Sequence, residues 1–209
     1  GTTDQNGLVF FNVSDGTYQV RADYLGYGFL SSSVTTPGSY ATDIEIPHQD
    51  VKVSVTKQYD QVSDPMPGES CYIYTDTDVY TSLFSITDEN GEAFFSLPQQ
   101  NFKVRVAHLG NGYDSAVFNW QDVSVTIPHG ELILAVDDNG TPLTNAAVYL
   151  LNDQGDYLGI SGTTDSSGSV SLVVPEDGYT IEIDNNGQSV WTDVLNVIAD
   201  QQNSFSVDV

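Results

Sequence analysis

The side chains best suited to chemistry in this sequence are three histidines and one cysteine: His48, His108, His129 and Cys71. Acid–base or nucleophilic catalysis by such groups requires a partner that activates them, usually within a recognisable motif. No Ser, His and acid stand in such a motif, and no Gly-rich phosphate-binding loop is present. We therefore predict that the chain is not an enzyme.

The positions of these residues favour structural roles. His48 and His129 occupy the same place in two successive stretches of the chain, each directly after a proline. We interpret both as polar junction residues that contact the next domain. Cys71 stands where a later stretch has Val148, so we interpret it as a small buried hydrophobe and not as a nucleophile.

Acidic loops are the candidate metal sites of the chain. Calcium is bound by about six to eight oxygen atoms, and carboxylate-rich loops supply them. Two loops offer such oxygens, from Asp76, Asp78, Asp137, Asp138 and Asn139. Neither loop has EF-hand spacing, and Asp-Asp-Asn-Gly is also a favourable plain hairpin turn. The alternatives are a bound calcium ion or acidic turns in contact with water; we expect no other cofactor.

The charge of the chain is strongly one-sided, with 29 acidic and 5 basic side chains and a net charge of −24. Nucleic-acid binding needs a basic surface, and anionic membranes repel an acidic chain. No apolar run approaches the roughly 18 residues that cross a bilayer. We therefore predict neither nucleic-acid binding nor membrane insertion. One cysteine cannot form a disulfide within the chain.

A five-residue motif recurs along the chain and sets its organisation. The three copies start at Thr3, Thr87 and Thr164 and read T-D-Q-N-G, T-D-E-N-G and T-D-S-S-G. They are 84 and 77 residues apart. Self-similarity at a nearly constant period is the signature of a repeat architecture, so the chain is predicted to contain repeated units.

Each motif is followed by an apolar segment and then by a segment in which apolar and polar residues alternate. The apolar segments are Leu8–Val13, Ala93–Leu97 and Val170–Val174. Alternation of β-branched residues, such as Val104 and Val106, predicts strands with one buried face. The pattern predicts an all-β fold, a tandem array of Greek-key β-sandwiches of the immunoglobulin-like or transthyretin-like type in an elongated rod.

The motif positions also suggest boundaries. We predict a partial sandwich at 1–49 and complete sandwiches at 50–130 and 131–209, named here the first, second and third segments. The first segment has no equivalent of 50–84, so we expect preceding chain, or strands lent by a neighbouring molecule, to complete it. Short junctions, with a proline closing each last strand, favour a stiff array. Last strands are predicted at Ile44/Ile46, Val123/Val125/Ile127 and Phe205/Val207/Val209.

The repeated pattern resembles a known family. T-D-x-x-G, an apolar strand and then Gly-x-Tyr, as in Gly16–Val20, is similar to carboxypeptidase-regulatory-like repeats and to the B-type repeats of collagen-binding surface adhesins. The resemblance covers all 209 residues. It implies a sandwich that serves as stalk, spacer or adhesive module in secreted proteins. The second copy departs from the pattern, with Pro98–Phe102 in place of the glycine.

Aromatic side chains support a second hypothesis, in which the chain binds sugars. Aromatic faces also pack in cores or brace neighbouring domains, and these alternatives stay open. The candidates are Tyr24, Tyr27, Phe29 and Tyr40, then His108, Tyr113 and Trp120, then Trp191.

These observations predict a structural or adhesive segment of a long extracellular or cell-surface protein, such as a stalk, adhesin or filament subunit. Its expected partners are neighbouring repeats of the same or an identical chain, a host or matrix protein, or a glycan. The alternative is a carbohydrate-binding accessory region of a secreted hydrolase.

Overall fold

The computed structural model describes residues 1–38, 41–185 and 187–209. These residues form β-strands and no helix, which confirms the all-β fold class, and so no helix among them is suited to crossing a membrane. The strands are β1 (Gly16–Tyr18), β2 (Arg21–Tyr24), β3 (Tyr27–Leu30), β4 (Val34–Thr36), β5 (His48–Tyr59), β6 (Val62–Pro65), β7 (Ser70–Thr75), β8 (Tyr80–Ile86), β9 (Glu92–Pro98), β10 (Phe102–His108), β11 (Asn111–Asp114), β12 (Val123–Asp138), β13 (Thr141–Pro142), β14 (Ala147–Leu151), β15 (Tyr157–Thr163), β16 (Ser169–Pro175), β17 (Asp177–Asn185), β18 (Gln188–Trp191), β19 (Leu195–Val197) and β20 (Gln202–Asp208).

In the second segment, two sheets enclose one apolar core. One sheet has the order β11-β10-β7-β8. In the other, β5 pairs antiparallel with β9 and β6 along one edge and parallel with the first half of β12 along the other. Alternate side chains are buried as the sequence predicts. Core residues include Val51, Val53, Val55, Ile73, Val104, Val106 and Ile127.

The third segment is built in the same way around a second core. The second half of β12 pairs antiparallel with β13 and β16 and parallel with β20. The facing sheet has the order β15-β14-β17-β18, and β19 pairs with β17. Core residues include Leu132, Leu134, Val136, Val148, Leu150, Tyr179, Ile181 and Ile183.

The recurring motif forms a turn that the Asp side chain closes. Asp88 accepts hydrogen bonds from the amides of Asn90 and Glu92, at 2.9 and 3.0 Å, and the other two copies make the same bonds. The amides of Glu92 and Asn90 lower the pKa of Asp88. Gly91 has a φ of 72°, and a Cβ there would lie 2.6 Å from the Val55 carbonyl oxygen. The motif is therefore a structural turn.

The first segment departs from the prediction. Leu8–Val13 forms no strand, although the equivalent Ala93–Leu97 lies in β9, and the predicted last strand at Ile44 and Ile46 is also absent. In the second segment the two equivalent strands both pair with β5, and the described residues among 1–49 include no counterpart of β5. Without a neighbouring strand to pair with, these runs do not form strands.

The prediction that Pro128 closes a last strand is also wrong, because β12 continues through Pro128 to Asp138. Pro128 pairs with Gln58 as the last residue in register with β5, and His129 is the first in register with β16. Proline lacks a donor for a ladder, and the strand tolerates it where the pairing partner changes.

Candidate functional site at the segment junctions

Strand β12 joins the second and third segments without an intervening loop. Val125 and Ile127 lie in one core, at 3% and 0% exposure, and Leu132 and Leu134 lie in the next, both at 0%. One continuous strand therefore contributes to two cores. The two ladders meet at Pro128 and His129, so no residue between them is free of strand pairing.

His129 is buried where β12 passes between the cores, at 4% exposure. Its Nδ1 lies 2.9 Å from the carbonyl oxygen of Ile127, and its ring lies 5.9 Å from the ring of His108. His108 in turn contacts the carboxylate of Glu69 at 3.0 Å. Burial lowers the pKa of His129. His129 thus lies at a junction, but its ring contact is within its own segment and not, as predicted from the sequence, with the next one.

The first junction has the same arrangement around His48. Its Nδ1 lies 2.8 Å from the carbonyl oxygen of Ile46, and its ring packs edge-on against Tyr24 at 5.5 Å. Tyr24 and His108 align in the sequence, so the same two positions meet at both junctions. In each case the contact ties a hairpin, β2–β3 or β10–β11, to the strand that starts the following segment.

The same hairpins also touch the following segment. The Tyr27 ring packs edge-on against Phe102 at 5.4 Å, and its hydroxyl donates a hydrogen bond to the carbonyl oxygen of Asn101. Asn111, which aligns with Tyr27, donates a hydrogen bond to Asp177 at 2.6 Å. Each hairpin is therefore fixed on both sides of a junction.

Glu131 receives hydrogen bonds from both sides of the second junction. The hydroxyl of Tyr59 donates from the second segment at 2.9 Å. Ser171 and Gln202 donate from the third segment at 2.5 and 2.8 Å. These bonds, the one from Ser171 foremost, lower the pKa of Glu131. Glu131 therefore links the two segments through its side chain.

Next to Glu131, Gly130 permits the chain near Ile198 to pack closely against β12. A Cβ at Gly130 would lie 2.3 Å from the carbonyl oxygen of Ile198. The amide of Asp200 donates to the carbonyl oxygen of His129 at 2.8 Å, which holds the loop before β20 against the junction. The sequence analysis did not predict this contact. Gly130 is the signal that could have indicated it, because the equivalent position at the first junction is Gln49 and not a glycine.

The first loop considered for calcium has protein partners for both carboxylates. Asp78 forms an ion pair with Lys103. The Asp76 carboxylate lies 3.2 Å from the Tyr27 hydroxyl oxygen and accepts a hydrogen bond from the Asn101 side-chain amide at 3.5 Å. This loop therefore takes part in the contact between the first and second segments.

The second loop is a tight hairpin turn between β12 and β13. Asn139 and the glycine after it have φ values of 51° and 75°, as a two-residue type I′ turn requires. The Asn139 amide donates to Asp208, its side chain donates to Asp138, and Asp137 pairs with Pro142. In the described parts of the chain, no group of three His, Cys, Asp or Glu side chains is arranged to hold a metal ion. Calcium binding stays a prediction for solution measurement.

Cys71 is a core residue with 0% exposure. Burial raises the pKa of its thiol to about 12. A thiol that stays protonated is a poor nucleophile, and this environment suits packing. Its outward neighbour Tyr72 packs on Tyr80 at 5.9 Å and on Phe84 at 6.1 Å, along the outer face of the sheet.

The aromatic residues considered for sugar binding have varied surroundings. Tyr24 and Tyr27 brace junctions, and Tyr113 packs against the core of the second segment. Trp120 donates its indole N–H to the carbonyl oxygen of Leu97 at 2.7 Å. Trp191 is 57% exposed and borders an open pocket of about 310 Å³. Phe29 lies half-buried in β3, and Tyr40 lies outside the described residues.

Comparison with protein-family models gives no match, and comparison with curated protein sequences gives none either. Among solved structures, the minor pilin GBS52 of Streptococcus agalactiae aligns with 77% of this chain and 94% of its own, at 15% identity and a TM-score of 0.43. Shaft pilin SpaA of Lactobacillus rhamnosus GG aligns with 77% of this chain and 98% of its own, at 14% identity and a TM-score of 0.39.

The Bacillus anthracis TIE protein aligns with 99% of this chain and 44% of its own, at 18% identity and a TM-score of 0.36. With TM-scores below 0.5 and identities below 25%, these similarities support no inference about function.

Proposed function

We propose that the chain is a structural segment of an extracellular or cell-surface protein, a stalk, adhesin or filament subunit, in which coupled β-sandwiches hold a fixed spacing. The observation that carries this proposal is the continuous strand β12, which contributes Ile127 to one core and Leu132 to the next. A spacer needs segments that do not pivot freely, and a shared strand supplies that coupling.

The side chains around the junctions reinforce the same role. Tyr59 and Glu131 connect the second and third segments, and His48 packs against Tyr24 at the first junction. These contacts serve coupling and do not assemble a reaction centre. The net charge of −24 adds repulsion between neighbouring molecules, which favours solubility at a crowded surface. The partners that fit this role are adjoining segments of the same or an identical chain.

Antibodies against the 209-residue chain test the proposed location. On cells that express the natural protein, we expect labelling of intact cells, and we expect mild protease treatment of those cells to remove it. Labelling only after permeabilisation would contradict an extracellular role. Permeabilised cells and an antibody against a cytoplasmic protein serve as controls.

A further inference from the structure

The outer face of the β11-β10-β7-β8 sheet carries a group of partly exposed aromatic rings. Tyr72 and Tyr74 of β7 lie in register with Phe84 and Tyr80 of β8. The Tyr72 ring stacks on Phe84 with centroids 6.1 Å apart and 29° between the planes, and the Tyr74 ring lies 5.3 Å from Tyr80. Phe84 is 62% exposed and Tyr80 is 42% exposed. These four rings and the neighbouring Arg105 of β10 are named here the aromatic face.

The equivalent sheet of the third segment shows that the fold does not require the aromatic face. Three of its five members are replaced there: Ser161, Leu151 and Glu182 stand in register where the second segment has Phe84, Tyr74 and Arg105. Both segments nonetheless build the same two-sheet sandwich around an apolar core. Exposed apolar rings that the fold does not need mark an interaction surface.

Arg105 is held over this surface by two contacts. Its guanidinium lies 4.9 Å from the centre of the Tyr74 ring, and its Nε and Nη2 each lie 2.7 Å from an oxygen of Asp114. A guanidinium has five N–H donors, so the contact with Asp114 leaves others for a ligand. The hydroxyls of Tyr72, Tyr74 and Tyr80 have no hydrogen-bond partner among the described residues. The aromatic face therefore combines flat apolar surfaces with available donors and acceptors.

Local charge narrows the ligand to a neutral one. The chain has a net charge of −24, yet on this sheet Arg105 pairs with Asp114 and Lys103 pairs with Asp78. The four strands, all of them described, contain no other Lys, Arg, Asp or Glu. A cationic ligand thus meets no unpaired carboxylate within these strands. Anionic ligands, and a second copy of this acidic chain, are repelled by the molecule as a whole.

We propose that the aromatic face binds a neutral β-linked polysaccharide that forms a flat ribbon, as cellulose does. The C–H groups of a sugar ring carry partial positive charge and pack against the negative π faces of aromatic rings. In a flat ribbon these C–H groups lie on the two broad faces, and the hydroxyls lie along the edges. The rings of Tyr72 and Phe84 pack on a broad face, while Arg105 and the tyrosine hydroxyls bind the edge hydroxyls. An open sheet face suits an extended chain, whereas a small ligand needs a concave pocket.

Cellohexaose, a soluble fragment of such a ribbon, is the probe. It is titrated into the 209-residue chain while the aromatic ring resonances are followed by NMR. We expect saturable binding, with shifts concentrated on the rings of the aromatic face. Maltohexaose has the same composition, but its axial linkages coil the chain and present no continuous flat face. It should therefore bind at least about tenfold more weakly.

Protein variants locate the site. Phe84→Ser introduces the residue type that the third segment has at the equivalent place, so the sheet should stay folded. It should weaken cellohexaose binding by at least about tenfold, because it removes the most exposed ring of the aromatic face. Phe84→Leu keeps an apolar side chain without a π face and should also weaken binding, which covers the case in which Phe84→Ser melts early.

Phe94→Ser is the matched control. Phe94 is 58% exposed in β9 of the opposite sheet, so its loss is chemically the same change at a distant place. This variant should bind cellohexaose as the parent does. Melting curves of the parent and the variants verify that the second segment stays folded.

Three results would each overturn the proposal: no binding of cellohexaose, equal affinity for both sugars, or equal weakening by Phe84→Ser and Phe94→Ser. Concentration-dependent shifts of the same ring resonances without sugar would also overturn it, because the occupant would then be a second copy. Sugar binding does not depend on the coupling through β12 or on where the protein is located. It can therefore succeed or fail separately from the proposed function.

Discussion

The ring of His129 lies 5.9 Å from the ring of His108 at the point where β12 leaves one core and enters the next. His129 is 4% exposed, and burial is the main cause that lowers its pKa, with the nearby Lys57 charge acting in the same direction. The folded chain therefore favours neutral His129. Protonation of this one side chain opposes the packing of the junction.

This lowered pKa predicts a pH dependence of stability. The unfolded chain binds a proton at His129 near its ordinary pKa of 6.5, whereas the folded chain binds it only at lower pH. The stability that neutral His129 gives to the folded chain is therefore complete above about pH 6.5. It is lost as the pH falls toward the lower pKa that His129 has in the folded chain.

Denaturant unfolding of the parent and of His129→Gln at about pH 7.5 and pH 5 measures this effect. We expect the parent to lose more free energy of unfolding than the variant between these pH values. The many carboxylates titrate in both proteins and cancel in the comparison. Equal losses in parent and variant would show that His129 does not titrate with folding.

Replacing Ile181 tests the inward face of the third segment. Ile181 is 0% exposed in β17, so Ile181→Asp would bury a carboxylate with no partner. We expect a loss of at least about 3 kcal/mol in the free energy of unfolding of that segment. Thr180→Asp, on the outward-facing neighbour, is the matched control and should have a small effect. Melting of Ile181→Asp at the parental temperature would contradict the assignment.

The Thr of the recurring motif is expected to stabilise the segments through two hydrogen bonds. In the third segment, the hydroxyl of Thr164 donates to the carbonyl oxygen of Leu143 at 2.7 Å and accepts from the amide of Ala146 at 3.0 Å. Thr164→Val keeps the shape but leaves both backbone groups unpaired, which should cost about 1–3 kcal/mol in denaturant unfolding. Thr126→Val, at an exposed position, serves as the control. Equal losses in the free energy of unfolding for the two variants would contradict the role assigned to Thr164.

The calcium hypothesis predicts a rise in melting temperature with millimolar CaCl₂, largest for the third segment. That segment has 13 acidic residues and no basic ones. Binding to the folded state stabilises it by mass action, so the shift should grow with concentration and exceed that of NaCl at equal ionic strength. Asp137→Asn and Asp138→Asn should then reduce it. Equal shifts from both salts would leave only charge screening.

Alternation and turn chemistry made much of the fold predictable. The buried positions of Val104, Val106 and Ile181 follow from period-two patterns, and the Asp88 turn follows from its spacing to glycine. These features depend on local sequence, because strand periodicity and Asx turns are set within a few residues.

Features that depend on pairing across the chain were not predictable. Leu8–Val13 has a strand-like sequence but forms no strand, because strand formation depends on a pairing partner and the described residues among 1–49 offer none. Pro128 reads as a strand end, yet the exchange of β5 for β16 as partner lets β12 continue. The link between Tyr59 and Glu131 joins residues 72 positions apart, and no local pattern indicates it.

The distance between the second and third segments tests the central claim, that β12 couples them rigidly. Spin labels would be attached at Glu89→Cys and Gln154→Cys in a Cys71→Val background. Pulsed electron paramagnetic resonance would then measure the distribution of distances between the two labels. A second protein would carry a short Gly-Ser insertion between Gly130 and Glu131. We predict a narrow distance distribution without the insertion and a broad one with it, both cores remaining folded. A parent distribution as broad as that of the insertion variant would contradict the account.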